Sequence, residues 1–137
     1  MPKIQRSIAE TIKNRLWKGK VIVIYGPRQS GKTTLIKSLV SELELDPVIL
    51  NGDDDMDASL FETVTVSRWN QILGNRKSIF IDEGQKISNL GKAVKLLVDS
   101  RDDIQVFITG SFLIKLRIFI ADGSGQTGYF IFQLLNL

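Results

Sequence analysis

The sequence predicts a single α/β domain in which helices cover both faces of a mainly parallel β-sheet. Two observations indicate this class. Short apolar runs alternate with amphipathic segments, and several of these runs end in glycine, acidic or hydroxyl residues. Alternating strands and helices form parallel sheets through right-handed crossovers. Polar residues at the carboxyl ends of such strands lie where these sheets bind ligands. A length of 137 residues suffices for one domain with its own core.

Composition narrows the chemistry of any site. The chain has no cysteine and no histidine, which excludes disulfides, thiol catalysis and an imidazole base. Any general base is therefore a carboxylate, and any metal is a hard ion bound by oxygen atoms.

The charge and the apolar segments indicate neither a nucleic-acid nor a membrane partner. A net charge of +3 is mild, and no dense basic stretch interleaved with aromatic residues accompanies it. The longest apolar stretch, residues 112–121, contains Lys115 and Arg117 and is too short to span a bilayer. No apolar segment of signal-peptide length follows the first basic residues. We therefore expect a cytoplasmic protein.

The first predicted element is an amphipathic helix over residues 4–18. Isoleucine and leucine recur at every fourth position from Ile4 to Leu16, mostly charged residues occupy the other faces, and Gly19 ends the pattern. A helix of this kind packs on the sheet or lies on a membrane surface, and we expect the former.

Residues 21–34, VIVIYGPRQSGKTT, join a buried strand to a glycine-rich loop and a helix. The octet that begins at Gly26 fits the pattern G-x-x-x-x-G-K-[ST]. Gly26 and Gly31 permit the positive φ angles that turn backbone N–H groups inward around phosphate oxygens. The following helix directs its positive dipole end into the same space. Lys32 can reach the β- and γ-phosphates, and the Thr33 hydroxyl can ligate Mg²⁺.

These residues predict a phosphate-binding loop. Within it, Arg28 either stays solvated or reaches toward a phosphate or an acidic partner. The candidate nucleotide-binding residues are Gly26, Pro27, Arg28, Gln29, Ser30, Gly31, Lys32, Thr33 and Thr34.

The next segments continue the alternation. An apolar stripe predicts a helix over residues 33–43, and a short buried strand follows at residues 47–50. The acidic loop at residues 51–55 is either a solvated turn or a site that contacts the metal or a substrate. Helical periodicity then predicts two short helices, over residues 57–62 and 67–74.

A second motif ends the apolar run 78–81 with two carboxylates. Asp82 resembles a Walker B aspartate, which holds Mg²⁺ opposite the loop hydroxyl. Glu83 can accept a proton from the water that attacks the γ-phosphate. Because adjacent strand residues point to opposite faces, both can serve one site only where the strand ends and the chain turns. The alternative is an acidic pair that caps the next helix.

A helix over residues 90–98 and a strand over residues 104–111 complete the predicted elements. Thr109 and Ser111 end this strand, where either can hydrogen-bond the attacking water or the γ-phosphate. A helix N-cap is the alternative role for Ser111.

Three stretches resemble the AAA-type P-loop ATPases of bacteria and archaea, which usually carry an additional C-terminal domain of unknown function. They are residues 20–34 with YGPRQSGKTT, residues 79–86 with FIDEGQK, and residues 108–111 with ITGS. The similarity covers about residues 3–112. It implies a P-loop NTPase fold, a three-layer α-β-α sandwich, with ATP and Mg²⁺ as cofactors.

The resemblance also implies roles for residues at these positions. Lys32, Glu83 and Ser111 are the candidate catalytic residues, with Thr109 as the alternative sensor. The candidate metal ligands are Thr33 and Asp82.

The predicted activity is binding of Mg·ATP and its hydrolysis to ADP and phosphate. One alternative is a domain that binds nucleotide without hydrolysing it, and another is a small-molecule phosphotransferase. No arginine follows residue 117, so a charge-stabilising arginine finger would come from elsewhere. A second protomer of a homo-oligomer that lends Arg101 or Arg117 is one possibility, and a different protein partner is another.

The sequence departs from the family pattern at single positions and in its last part. Gly84, Ser88 and Phe112 stand where the family usually has isoleucine, proline and serine. Residues 112–137 lack the Leu-Thr-Gly-Arg stretch and the fifth strand that members show.

We therefore expect an ATPase core over residues 1–111 and an atypical tail over residues 112–137, truncated or frameshifted. With suitable codons, a one-base shift across residues 121–125 yields Leu-Thr-Gly-Arg. Residues 129–132 can pair as an edge strand.

Overall fold

The computed structural model describes residues 3–18, 20–27, 31–111 and 128–133, and side chains within residues 6–18, 21–27 and 31–111. Its elements in chain order are α1 Lys3–Lys13, β1 Lys20–Tyr25, α2 Lys32–Glu42, β2 Val48–Asn51, α3 Asp55–Ser59, α4 Val66–Leu73, β3 Ser78–Asp82, a 3₁₀ helix Gly84–Lys86, α5 Leu90–Ser100, β4 Gln105–Gly110 and β5 Gly128–Gln133.

The five strands form one sheet in the order β2-β3-β4-β1-β5, and every pair of neighbours is parallel. Strand β1 lies inside the sheet, so that Val21 pairs with Val106 of β4 on one side and with Tyr129 of β5 on the other. The edge strand predicted for residues 129–132 is thus present as β5. The expectation that residues 112–137 lack the fifth strand of the family is therefore wrong. The predicted parallel α/β architecture is confirmed.

Alternate residues of β1 face two different helical layers, as the period of a strand requires. Val21 and Val23 belong to a core cluster with the apolar faces of α4 and α5. Ile22 and Ile24 belong to a second cluster with those of α1 and α2. All four side chains are fully buried, which explains the continuous apolar run in the sequence. The structure therefore has the predicted three layers.

Helix α1 packs on the sheet, but it ends at Lys13 rather than near residue 18. Trp17 adopts a left-handed backbone with φ of 61°, and its N–H donates to Oε1 of the buried Gln105 at 2.9 Å. The Gln105 side chain, distant in sequence, thus replaces the backbone carbonyl to which this N–H would donate in a continued helix. Leu16 still packs in the core. Among the helices that the structure describes, none is long and apolar enough to cross a bilayer.

Trp69 anchors the layer formed by α4 and α5. Its side chain is fully buried, and its indole Nε1 donates to the carbonyl of Ala93 at 2.8 Å. Its ring meets that of Phe61 edge-on, with centroids 5.6 Å apart. Edge-to-face pairs of this kind add about 0.5–1.5 kcal/mol to the effect of burial.

We expect Trp69→Phe to lower the free energy of unfolding by about 1–3 kcal/mol, because it removes core volume and leaves the Ala93 carbonyl without its donor. Urea denaturation measures the change. Trp17→Phe is the control, since the Trp17 side chain is 48% exposed and its loss should cost no more than about 0.5 kcal/mol. Equal losses in the two variants would contradict this account of the core.

Candidate functional site

Three neighbouring strands bring the predicted motifs to one edge of the sheet. Strands β3, β4 and β1 are adjacent and parallel, so their carboxyl ends lie together. The backbone N–H of Gly26, just after β1, donates to the carbonyl of Gly110 at the end of β4, at 3.1 Å. The phosphate-loop strand and the strand that leads to Ser111 are thereby joined where the site begins.

The described part of the glycine-rich loop has one of the two positive φ angles that the pattern predicts, since Gly26 does not adopt a positive φ. Gly31 has φ of 90°, and α2 begins at the next residue. Lys32 is 4% exposed, and its Nζ donates to the carbonyl of Pro27 at 3.3 Å across the loop. Thr34 is exposed in the first turn of α2. The predicted site residues Arg28, Gln29 and Ser30 lie outside the described residues.

Asp82 gathers three donors on a single carboxylate oxygen. Its Oδ1 accepts the Thr33 hydroxyl at 3.2 Å, the backbone N–H of Glu83 at 3.1 Å, and a short bond from the hydroxyl of Thr109. Thr109 is fully buried, so it serves to orient Asp82.

The Thr33 hydroxyl and Asp82 carboxylate fit a Mg²⁺ site. The ion takes one or two protein oxygens and completes its shell with waters and phosphates. Within the part of the chain that the structure describes, no three acidic side chains group around one point.

Glu83 reaches the same site because the chain turns immediately after β3. Its backbone is left-handed, with φ of 53° and ψ of 47°. Its Oε1 lies 4.0 Å from Nζ of Lys32, with only 14% of the side chain exposed. Two adjacent carboxylates can serve one site only where the strand ends and the chain turns. The turn at Glu83 satisfies this condition.

Gly52 makes the turn possible, a role that the sequence pattern did not predict. Its N–H donates to the carbonyl of Asp82 at 2.7 Å. A Cβ atom at Gly52 would lie 2.1 Å from the carbonyl oxygen of Glu83, so only glycine permits this approach.

The acidic loop after β2 is held by structural contacts. Asp54 caps α3 by accepting the N–H groups of Met56 and Asp57 at 2.9 and 3.2 Å. Asp53 forms an ion pair with Lys86 at 3.4 Å. These contacts support the turn interpretation of this loop.

Ser111 and Gln85 complete the surroundings of Glu83. The Ser111 hydroxyl lies 3.3 Å from Oε2 of Glu83. The alternative role of Ser111 as a helix N-cap concerns residues 112 onward, which lie outside the described residues. Gln85 is 5% exposed, and its Nε2 donates to the same Oε2 at 2.6 Å. Sequence reasoning missed Gln85, because an amide two residues after a glutamate does not reveal its burial.

Gly84 packs more closely than the isoleucine of the resembling family would allow. A Cβ atom at Gly84 would lie 2.7 Å from Cγ2 of Ile108 and 3.0 Å from Cδ2 of Leu90. The 3₁₀ helix therefore rests directly on β4 in this chain.

We expect Gly84→Ala to lower the free energy of unfolding by about 1–3 kcal/mol, as overpacking of a filled core does, and Gly84→Ile to cost more. Thermal unfolding of the two variants beside the unchanged chain measures the series. If Gly84→Ile is as stable as the unchanged chain, the close packing on Ile108 is contradicted.

The parallel sheet, the glycine-rich loop and the buried Lys32 together define an ATP-binding domain of the P-loop NTPase class. A comparison with the sequence models of known families identifies one family within this class. The sequence model of the family described as "AAA domain" matches residues 18–131, most of the chain. The chain belongs to this AAA domain family.

Curated relatives match a smaller part. The Replication factor C large subunit of Methanosarcina acetivorans is 27% identical over 84 residues, 60% of this chain and 14% of that protein. The ATP-binding protein Uup of Caulobacter vibrioides is 29% identical over 68 residues, 50% of this chain and 11% of that protein. The chain thus spans about a seventh or less of the length of these relatives.

A solved structure of similar fold is that of Drosophila ORC bound to DNA. It aligns with a TM-score of 0.65 at 11% identity, over 98% of this chain and 91% of that chain. At this identity the likeness establishes the fold alone.

Proposed function

We propose that this domain binds Mg·ATP and hydrolyses it to ADP and phosphate. The proposal rests on one observation: two carboxylates that are adjacent in sequence contact different groups of the same site. Asp82 contacts the hydroxyl of Thr33, while Glu83 faces Nζ of Lys32 at 4.0 Å. One carboxylate is thus positioned for a metal and the other for a water beside the phosphates.

In the proposed reaction Lys32 binds the β- and γ-phosphates, and Thr33 and Asp82 hold the metal. When bound, Mg²⁺ neutralises charge on the phosphate oxygens. Glu83 accepts a proton from the attacking water. Ser111 assists by orienting Glu83 through its hydroxyl at 3.3 Å.

A domain that binds ATP without hydrolysing it is the second candidate, and the arginines favour it. Arg101 contacts Asp103 through Nη2 at 3.1 Å, near the start of β4 and at the opposite end from the site. Arg117 lies outside the described residues. An arginine finger contributes about 10³–10⁵ in rate where it is used. A second copy or a protein partner that supplies an arginine would then raise the rate of hydrolysis.

DNA is also a candidate partner, because one similar solved structure is a protein bound to DNA. The expectation of no nucleic-acid partner gains no support from these comparisons. Adding duplex DNA to the hydrolysis assay tests it. The boundary after residue 111 and the frameshift hypothesis also stay predictions, which the nucleotide sequence tests.

We expect Lys32→Ala to weaken binding of a fluorescent ATP analogue about 10- to 100-fold, since a charged donor to phosphate is lost. A titration with and without Mg²⁺ measures the affinity. Lys37→Ala is the matched control, because Lys37 lies on the same helix and is exposed. Equal affinities in the two variants would exclude Lys32 from the nucleotide site.

We expect Glu83→Gln to retain nucleotide affinity and to lower the hydrolysis rate about 10²- to 10⁴-fold, the usual contribution of a general base. Release of phosphate measures the rate, and the exposed Glu62→Gln serves as control. Binding without turnover in the unchanged chain would replace hydrolysis with the second candidate.

A further inference from the structure

We propose that Gln85 is a positioning residue that fixes the carboxylate of Glu83 and couples it to the end of β4 at Ser111. The catalytic consequence rests on the proposed hydrolysis, whereas the coupling itself is a property of the fold.

The Gln85 amide bridges two elements that the sequence separates. Its Nε2 donates to Oε2 of Glu83 at 2.6 Å, and its Oε1 accepts the backbone N–H of Ser111 at 3.1 Å. A carboxylate can only accept and a backbone N–H can only donate. An amide has both functions, so Gln85 satisfies both partners in one orientation. With 5% exposure, it makes these bonds away from bulk water, where they are stronger.

This bridge makes the two oxygens of Glu83 inequivalent. Oε2 alone receives the Gln85 amide, at 2.6 Å, whereas the Ser111 hydroxyl lies 3.3 Å from Oε2 and 3.5 Å from Oε1. Oε1 is the oxygen 4.0 Å from Nζ of Lys32. Rotating the carboxylate would break the Gln85 bond. Gln85 therefore keeps one oxygen occupied and directs the other toward the phosphate position.

The backbone positions Gln85 for this role. The left-handed turn at Glu83 leads into the 3₁₀ helix, in which the N–H of Ile87 donates to the carbonyl of Gly84 at 3.1 Å. Because Gly84 has no side chain, this helix lies against Ile108 of β4. The amide of Gln85 then spans the short remaining distance to Ser111, which immediately follows that strand.

Two substitutions separate the two bonds. Gln85→Met keeps the length of the side chain and removes both bonds. Gln85→Glu keeps an acceptor for Ser111 but places a second carboxyl group against Glu83, which then shares a proton with it and no longer serves as a free base. We expect each to lower kcat for ATP hydrolysis about 10- to 100-fold, as the loss of a hydrogen bond to a charged group does, with unchanged affinity for the ATP analogue. An unchanged kcat, or a loss of affinity that parallels the loss of kcat, would overturn the proposal.

A double-mutant cycle tests whether Gln85 acts through Glu83. In a Glu83→Gln background, Gln85→Met should cause no further loss of kcat, because the carboxylate that it positions is already gone. Independent, additive losses would refute the coupling.

The amide signal of Ser111 can be measured without ATP hydrolysis, so it tests the Gln85 bridge independently of the proposed function. In ¹⁵N-resolved spectra, the amide proton of Ser111 should move upfield and exchange faster in Gln85→Met, and should keep its protection in Gln85→Glu. If the unchanged chain does not hydrolyse ATP, the proposed function fails while this measurement still decides the bridge. A Ser111 amide that is the same in all three proteins would overturn the bridge. Should Gln85→Met not fold, Gln85→Ala removes the same two bonds with a smaller side chain, and an unmoved Ser111 amide in that variant would overturn the bridge.

Discussion

The left-handed turn at Glu83 is the constraint on which the site depends. A non-glycine residue in this conformation costs on the order of 1–2 kcal/mol, and it persists only where the surrounding structure supports it. Here the N–H of Gly52 donates to the carbonyl of Asp82 at 2.7 Å, and the N–H of Lys86 donates to the carbonyl of Glu83 at 3.1 Å. The turn directs two consecutive side chains to the same edge of the sheet, which a continuing strand could not do.

The partners of the two carboxylates keep their environments separate. Hydroxyl groups from Thr33 and Thr109 surround Asp82, which suits an ion that prefers oxygen ligands. Glu83 instead contacts an amide, a hydroxyl and an ammonium group, of which the amide of Gln85 and Nζ of Lys32 are largely buried. The two carboxylates thus have different neighbouring groups, which supports the separate roles proposed for them.

The features that could be predicted from the sequence are those that depend on residues close together in the chain. The order of strand, glycine loop and helix around Lys32 follows from consecutive residues, and so does the pair Asp82 and Glu83 after an apolar run. The roles of Gln85 and Gly52 depend on how β2, β3 and β4 align side by side, which no local pattern contains.

The end of α1 could not be predicted for the same reason. The periodicity of its apolar residues continues to Leu16, but the N–H of Trp17 bonds to the side chain of Gln105, far along the chain. Tertiary contacts of this kind override local propensity. The mainly parallel sheet followed from the alternation of apolar runs with amphipathic segments, and the three layers from the family resemblance.

The interior position of β1 also has a consequence for synthesis of the chain. Both strands that pair with it, β4 and β5, come much later in the sequence, so β1 leaves the ribosome before either partner exists. Until those strands are made, the apolar residues 21–24 lack the strands with which they form hydrogen bonds. Pairing of parallel strands that are far apart in the sequence is also intrinsically slow. During that interval the nascent strand exposes apolar surface and unpaired backbone groups, the condition in which partly folded chains aggregate and against which chaperones act.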